Sequence, residues 1–222
     1  MTLQKVKAVL FDLDGTLLDT VNDIGAGINV SLRRYGLPEH PFRDYRAFVG
    51  CGIRELFGQT VPEGLDQKTF EAALQYHLAY YPEHCTELTE PFPGVPELLE
   101  ALQSRGYRLG MISNKLETTA RKVMDCYFPG IRFEFIWGEN GRRPLKPEVA
   151  AGALACETLD LRPEEILFFG DGDTDMRFGS TCGFRTVGCS WGYRSADCLR
   201  GCGAETVVDS TAELLSLLGI ES

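Results

Sequence analysis

The stretch Phe11-Asp12-Leu13-Asp14-Gly15-Thr16-Leu17-Leu18-Asp19-Thr20 puts two carboxylates two residues apart, directly after the apolar run Val9-Leu10-Phe11. A short continuous apolar run reads as a strand buried on both faces, the pattern of a parallel sheet. Acids at the end of such a strand need a partner, because an unpaired charge there is costly. A metal ion or a cationic side chain is therefore implied. Gly15 and Thr16 add a sharp turn and a hydroxyl beside the acids.

Outward from this stretch, strand-like runs recur at Val6 to Phe11, Arg108 to Ile112, Phe133 to Trp137, Ile166 to Phe169, Arg185 to Val187 and Thr206 to Val208. Helical patterns separate several of them. Val95 to Leu102 has helical apolar spacing and a stop near Gly106, Pro147 to Leu159 opens on a proline suited to a first turn, and Thr211 to Leu218 closes the chain. This alternation predicts a doubly wound, Rossmann-like α/β core, a parallel sheet with helices on both faces.

Residues 18–90 break the alternation. They hold helical patterns, the longest at Val21 to Tyr35 and Gln67 to Tyr81, and no convincing strand. Turn residues mark the joints at Gly36-Leu37-Pro38, Val61-Pro62-Glu63-Gly64 and Pro91-Phe92-Pro93-Gly94. The reading is a small α-helical domain over 18–90, inserted into a core made of 1–17 and 91–222. Two short linkers would join it to the core and permit hinge motion.

Composition narrows the function. The 222 residues suffice for a full core, and the 44% hydrophobic and 24% charged fractions are those of an ordinary globular protein. A net charge of −10 argues against nucleic acid or an anionic membrane as partner. No apolar run approaches a bilayer span and the N-terminus does not resemble a signal peptide, so the expected location is cytoplasmic. The eight cysteines are scattered without a CxxC pair, which suits reduced thiols; Cys198 and Cys202, four apart, give only weak grounds for a metal or a disulfide.

Three later clusters bear on chemistry. Met111-Ile112-Ser113-Asn114-Lys115 ends a core strand with a hydroxyl and an amide, at the edge where open parallel sheets bind ligands. Lys146, in Pro144-Leu145-Lys146-Pro147, stands before a helix and can bring positive charge to a phosphate and a nucleophilic carboxylate. Ile166-Leu167-Phe168-Phe169-Gly170-Asp171-Gly172-Asp173-Thr174-Asp175 ends a second buried strand in acids. Asp171 and Asp175 share a face if a helix starts there, and Asp173 is left for a helix cap or solvent. Oxygen ligands without histidine or thiolate select magnesium over zinc or copper.

These four clusters, in this order and at these strand ends, resemble the four motifs of the haloacid dehalogenase superfamily of phosphohydrolases. The insert resembles the helical cap of one large subgroup. Ser190-Trp191-Gly192-Tyr193-Arg194 and Gly203-Ala204-Glu205 resemble the tail of its phosphoglycolate phosphatases. The resemblance implies that Asp12 is the nucleophile, forming an aspartyl-phosphate. Asp14 would act as general acid and then base, with its backbone carbonyl on Mg2+. Asp171 would be a direct magnesium ligand, and Asp175 a ligand through water or an anchor behind it. Ser113 and Asn114 would hold the phosphoryl oxygens, and Lys146 would balance charge. Gly172, where serine or threonine is usual, and Pro147-Glu148-Val149, without a second proline, depart from the pattern.

Tyr45-Arg46-Ala47-Phe48-Val49-Gly50-Cys51-Gly52-Ile53 resembles the specificity loop of phosphoglycolate phosphatases. Gly50 and Gly52 would let backbone approach a small ligand, and Arg46 could meet a carboxylate or form a surface ion pair. The expectation is a magnesium-dependent phosphomonoester hydrolase, a monomer or homodimer, acting on a small phosphorylated metabolite, with 2-phosphoglycolate leading. Rivals are an inorganic pyrophosphatase, a broad sugar-phosphate or nucleotide phosphatase, a phosphosugar mutase and, outside enzymes, a receiver-type signalling domain.

Overall fold

The computed structural model describes residues 3–220. Six strands form a parallel sheet: β1 Ala8–Phe11, β4 Arg108–Leu116, β5 Phe135–Glu139, β6 Ile166–Gly170, β7 Arg185–Cys189 and β8 Thr206–Val208. Two further strands, β2 Leu18–Asp19 and β3 Glu90–Pro91, lie outside this sheet. Its spatial order is β5-β4-β1-β6-β7-β8. The chain moves from β1 to one side of the sheet and later returns to the other. β1 is therefore the point where the winding reverses, and a ligand site is expected at its carboxyl end.

Period-two alternation divides the core between the two faces. Val9 and Phe11 of β1, with Leu167 and Phe169 of β6, join one apolar cluster. Ala8, Leu10, Ile166 and Phe168 join the other. The first cluster takes in α5 Val95–Ser104, α6 Glu117–Tyr127 and α10 Thr211–Leu217 through Leu98, Leu99, Ala120, Val123 and Leu214. The second takes in α7 Ala150–Leu159 and α8 Asp173–Thr181 through Ala151, Ala155 and Phe178. A short α9, Ala196–Gly201, lies before β8.

The insert contains α1 Val21–Arg34, α2 Tyr45–Phe48, α3 Ile53–Thr60 and α4 Gln67–His84. Its buried residues Ile28, Leu32, Tyr45, Phe57 and Leu74 continue the first cluster. The chain enters and leaves through β2 and β3, which pair antiparallel, Leu18 with Pro91 and Asp19 with Glu90. This pairing corrects the expectation of no strand in residues 18–90. Asp23, buried in the first turn of α1, accepts hydrogen bonds from the backbone N–H of Leu88 and Thr89, both at 2.9 Å, and so fixes the exit. Among the described residues no helix is long and apolar enough to cross a membrane, and all eight cysteines are free thiols.

Candidate active site

The carboxyl ends of β1, β4 and β6 converge on one cavity of about 60 Å³ beneath the insert. Asp12 follows β1 and Asp171 follows β6, while Asp175 sits in the first turn of α8. One carboxylate oxygen from each lies within 4.8 Å of the others, and all three residues are buried. Lys146 meets two of them: its Nζ donates to Asp12 Oδ1 and to Asp175 Oδ1, both at 2.7 Å. The second oxygen of Asp175 accepts from Gly172 N at 2.8 Å. Asp171 accepts from Thr16 Oγ1 at 2.8 Å and from Tyr193 N at 2.6 Å. Gly15 has φ +89°, and a Cβ there would lie 2.4 Å from Asp171 Oδ2. Only glycine lets the β1 turn approach this acid so closely.

One lysine does not neutralise three buried acids. Burial first, then repulsion from Asp175 and Asp12, raises the Asp171 pKa to about 8. Burial and the Asp175 charge raise Asp12 to about 7, with Lys146 pulling the other way. Burial disfavours the Lys146 charge, and Asp12 and Asp175 outweigh it, so its pKa is raised. An all-oxygen group with this excess of negative charge fits a hard divalent cation.

Asp14 is not in that group. Its Oδ1 accepts from Thr20 Oγ1 at 2.6 Å and from Lys115 Nζ at 2.9 Å. Lys115 Nζ also donates to Tyr81 OH of α4 at 2.8 Å. Burial opposes the Lys115 charge, but Asp14 and Tyr81 raise its pKa on balance. The general-acid candidate is thus held by a core lysine that an insert tyrosine also grips. The sequence offered a signal for Lys115, since it ends the Ser113-Asn114-Lys115 cluster. Nothing in it pointed to Tyr81, and Tyr193 stood out only as part of the Ser190–Arg194 resemblance, with no role in the site.

The other expected residues divide. Ser113 lines the cavity. Asn114 also lines it, but its carboxamide is spent on backbone: Nδ2 donates to Gly50 O at 2.8 Å and Lys146 O at 2.9 Å, and Oδ1 accepts from Lys146 N at 2.8 Å. It braces the Lys146 loop against the insert instead of offering its side chain to a phosphoryl group. Gly50 and Gly52 both line the cavity, and a Cβ on Gly52 would come within 2.9 Å of Leu145 Cδ1 of the core.

Arg46 does not line the cavity. It is about half exposed, with its guanidinium 3.6 Å from Asp19 Oδ2 and over the Tyr193 ring at 5.8 Å. Arg194, absent from the sequence reading of the site, lines the cavity in its place. It donates to the carbonyls of Arg46 at 2.6 Å, Ala47 at 3.3 Å and Val49 at 2.8 Å, and faces Asp173 at 3.7 Å.

Comparison with known proteins agrees with this arrangement. Residues 9–189 match the model of the haloacid dehalogenase-like hydrolase family. A phosphoglycolate phosphatase from Aquifex aeolicus is 33% identical over 188 residues, 85% of this chain and 86% of its own length. An N-acetylmuramic acid 6-phosphate phosphatase from Pseudomonas aeruginosa is 33% identical over 219 residues, covering 98% and 97%. A crystal structure from Haemophilus somnus, described as a predicted phosphoglycolate phosphatase, superposes with a TM-score of 0.89 at 25% identity over 96% of this chain and 98% of that one. The chain belongs to the haloacid dehalogenase-like hydrolases, and to their phosphoglycolate phosphatase-like phosphatases in particular.

Proposed function

We propose that the chain is a magnesium-dependent phosphomonoester hydrolase that works through an aspartyl-phosphate on Asp12. The observation that carries this reading is the meeting of Asp12, Lys146, Asp171 and Asp175 at the switch point of the sheet. Asp12, Asp171 and Asp175 would hold Mg2+ with the Asp14 carbonyl, and the ion would supply the charge that lets an anionic nucleophile approach a phosphate. Lys146 fixes one oxygen of Asp12 and orients the carboxylate for in-line attack. Ser113 contributes its hydroxyl to the phosphoryl oxygens. Asp14 protonates the departing alkoxide, then takes a proton from the water that cleaves the acyl-phosphate. Thr20 and Lys115 keep its carboxylate oriented between the two steps.

Residues 18–90 serve as a cap domain over this chemistry. The substrate is a small phosphorylated metabolite, and 2-phosphoglycolate is one candidate because relatives are named for phosphoglycolate. A phosphosugar is the second reading. It is favoured by Arg46 lying outside the cavity and by a full-length relative named for a sugar phosphate. Eight free thiols suit a reducing cytoplasm. The test is phosphate release from p-nitrophenyl phosphate, inorganic pyrophosphate, 2-phosphoglycolate and hexose 6-phosphates, with magnesium and with chelator. Ester hydrolysis that stops in chelator and returns with magnesium is expected. Full activity in chelator would refute the metal assignment, and release from pyrophosphate alone would refute the ester reading.

A further inference from the structure

The cavity has two unlike walls. The core wall carries its charges, on Asp12, Asp14, Lys115, Lys146, Asp171, Asp175 and Arg194. The insert wall is apolar at Ile24, Val49, Ile53, Leu56, Leu78 and Pro82, and contributes no acid, lysine or arginine. Its polar side chains are both on α4: Tyr81, whose hydroxyl already accepts from Lys115, and His77. The His77 ring is 1% exposed, lines the cavity, and stacks on Tyr81 with centroids 5.3 Å apart. Its Cε1–Nδ1 edge rests on Gly27 of α1, where a Cβ would come within 3.3 Å of Cε1 and 3.4 Å of Nδ1. The Gly27 backbone lies close enough to this edge to act on the ring, but neither ring nitrogen meets a partner in good hydrogen-bond geometry. Burial lowers its pKa to about 4, with the Gly27 backbone acting in the opposite direction, so the ring is neutral near pH 7. A neutral imidazole offers one donor and one acceptor. Leaving such groups buried and unpaired is costly, which makes this ring an anomaly unless a ligand meets it.

We infer, on the hydrolase reading above, that His77 is a specificity-determining residue that hydrogen-bonds an uncharged polar group, a hydroxyl or amide, on the alcohol part of the phosphate ester. A carboxylate there would face an apolar wall with no free cation. Lys115 and Lys146 are engaged by Asp14, Asp12 and Asp175, and Arg194 by three insert carbonyls. A purely hydrocarbon alcohol would suit the wall and strand the imidazole. A neutral polyol or amide-bearing ester satisfies both.

The experiment compares kcat/KM of the full chain with magnesium on four esters: propyl phosphate, glycerol 1-phosphate, N-acetylglucosamine 6-phosphate and 2-phosphoglycolate. The two neutral polar esters are expected to be the best substrates of the wild type. His77→Phe, which keeps an aromatic stack on Tyr81, is expected to lower kcat/KM on them roughly 3- to 12-fold, the worth of a neutral hydrogen bond. Propyl phosphate should change by less than about twofold, and His77→Gln should restore part of the loss. The inference is overturned if 2-phosphoglycolate is the preferred substrate of the wild type. Equal loss on all four esters with His77→Phe also overturns it, since that is the mark of damaged packing. Hydrolysis of none of the four by folded wild type would refute the phosphatase reading itself, and the inference with it.

Discussion

Replacing Asp171 by Asn should stabilise the metal-free protein while destroying its metal dependence. Asp171 is 2% exposed and shares its site with Asp12 and Asp175. Its pKa rises from an ordinary 3.8 to about 8 on folding. A group raised in this way contributes stability that is fully present below the unfolded value and is lost as pH climbs toward the folded one. Each pH step between them costs the folded state up to ~1.4 kcal/mol, an upper bound of ~5 kcal/mol near pH 7.5. Titration is shared with Asp12 and Asp175, so a gain of about 2–4 kcal/mol is expected for the amide. Asparagine can keep both local hydrogen bonds: its oxygen accepts from Tyr193 N, and its amide donates to Thr16 Oγ1 after that hydroxyl rotates. At ~2–4 °C per kcal/mol for a chain this size, the melting temperature should rise by roughly 5–15 °C. Thermal unfolding in chelator, near pH 5 and near pH 8, is the assay. The advantage should be small at the lower pH and large at the higher. A variant that melts at or below wild type near pH 8 would refute the reasoning. So would a constant offset across pH, which would trace the gain to packing. In magnesium the order should reverse, because only wild type retains the ligand.

Asp12→Asn should leave the fold intact and lower turnover by at least ~10⁴-fold, since an amide is a poor nucleophile; substantial phosphate release by an undeamidated sample would exclude the assignment. Lys146→Met removes the cation paired with Asp12 and Asp175 and should cost about 3–5 kcal/mol in chelator, seen as a drop in denaturant midpoint that magnesium partly reverses; an unchanged midpoint would mean the lysine is not paired as described. Tyr81→Phe should loosen Lys115 and, through it, Asp14. Its kcat loss should be larger for alkyl phosphates than for p-nitrophenyl phosphate, whose leaving group needs no proton, and equal losses on both would deny the link to proton transfer.

Most of the core site was legible because its residues announce themselves at strand ends. Asp12 and Asp171 follow apolar runs that became β1 and β6, and Lys146 precedes a helix. What escaped was set by long-range packing. Lys115 meets an acid 101 residues away, and Thr16 meets one 155 residues away. No local pattern encodes such pairs. Two-residue strands, one containing Pro91, are too short to show a period, so the β2–β3 pair was invisible. Helix α6 went unread because Glu117-Thr118-Thr119-Ala120-Arg121-Lys122 opens on polar residues. Pro147 suggested a helix start, yet the helix begins at Ala150, and Lys146–Pro147 is a cis bond in the turn before it. Arg46 lay near Gly50 in sequence, but the short helix α2 sends it toward Asp19.

The paired linkers β2 and β3 turn the whole insert into the loop of a β-hairpin. Both crossings lie in one ladder, Leu18 opposite Pro91 and Asp19 opposite Glu90. Loop length is cheap in such a place, because each doubling adds only ~0.6 kcal/mol of closure entropy. Going from a two-residue turn to the four helices between Asp19 and Glu90 is about five doublings, ~3 kcal/mol of closure entropy, which the packing of those helices offsets. The sheet that holds Asp12, Lys146 and Asp171 need not be rebuilt when that loop is exchanged. Substrate choice and phosphoryl chemistry can therefore diverge on separate stretches of the chain, with one pair of two-residue strands as the joint between them.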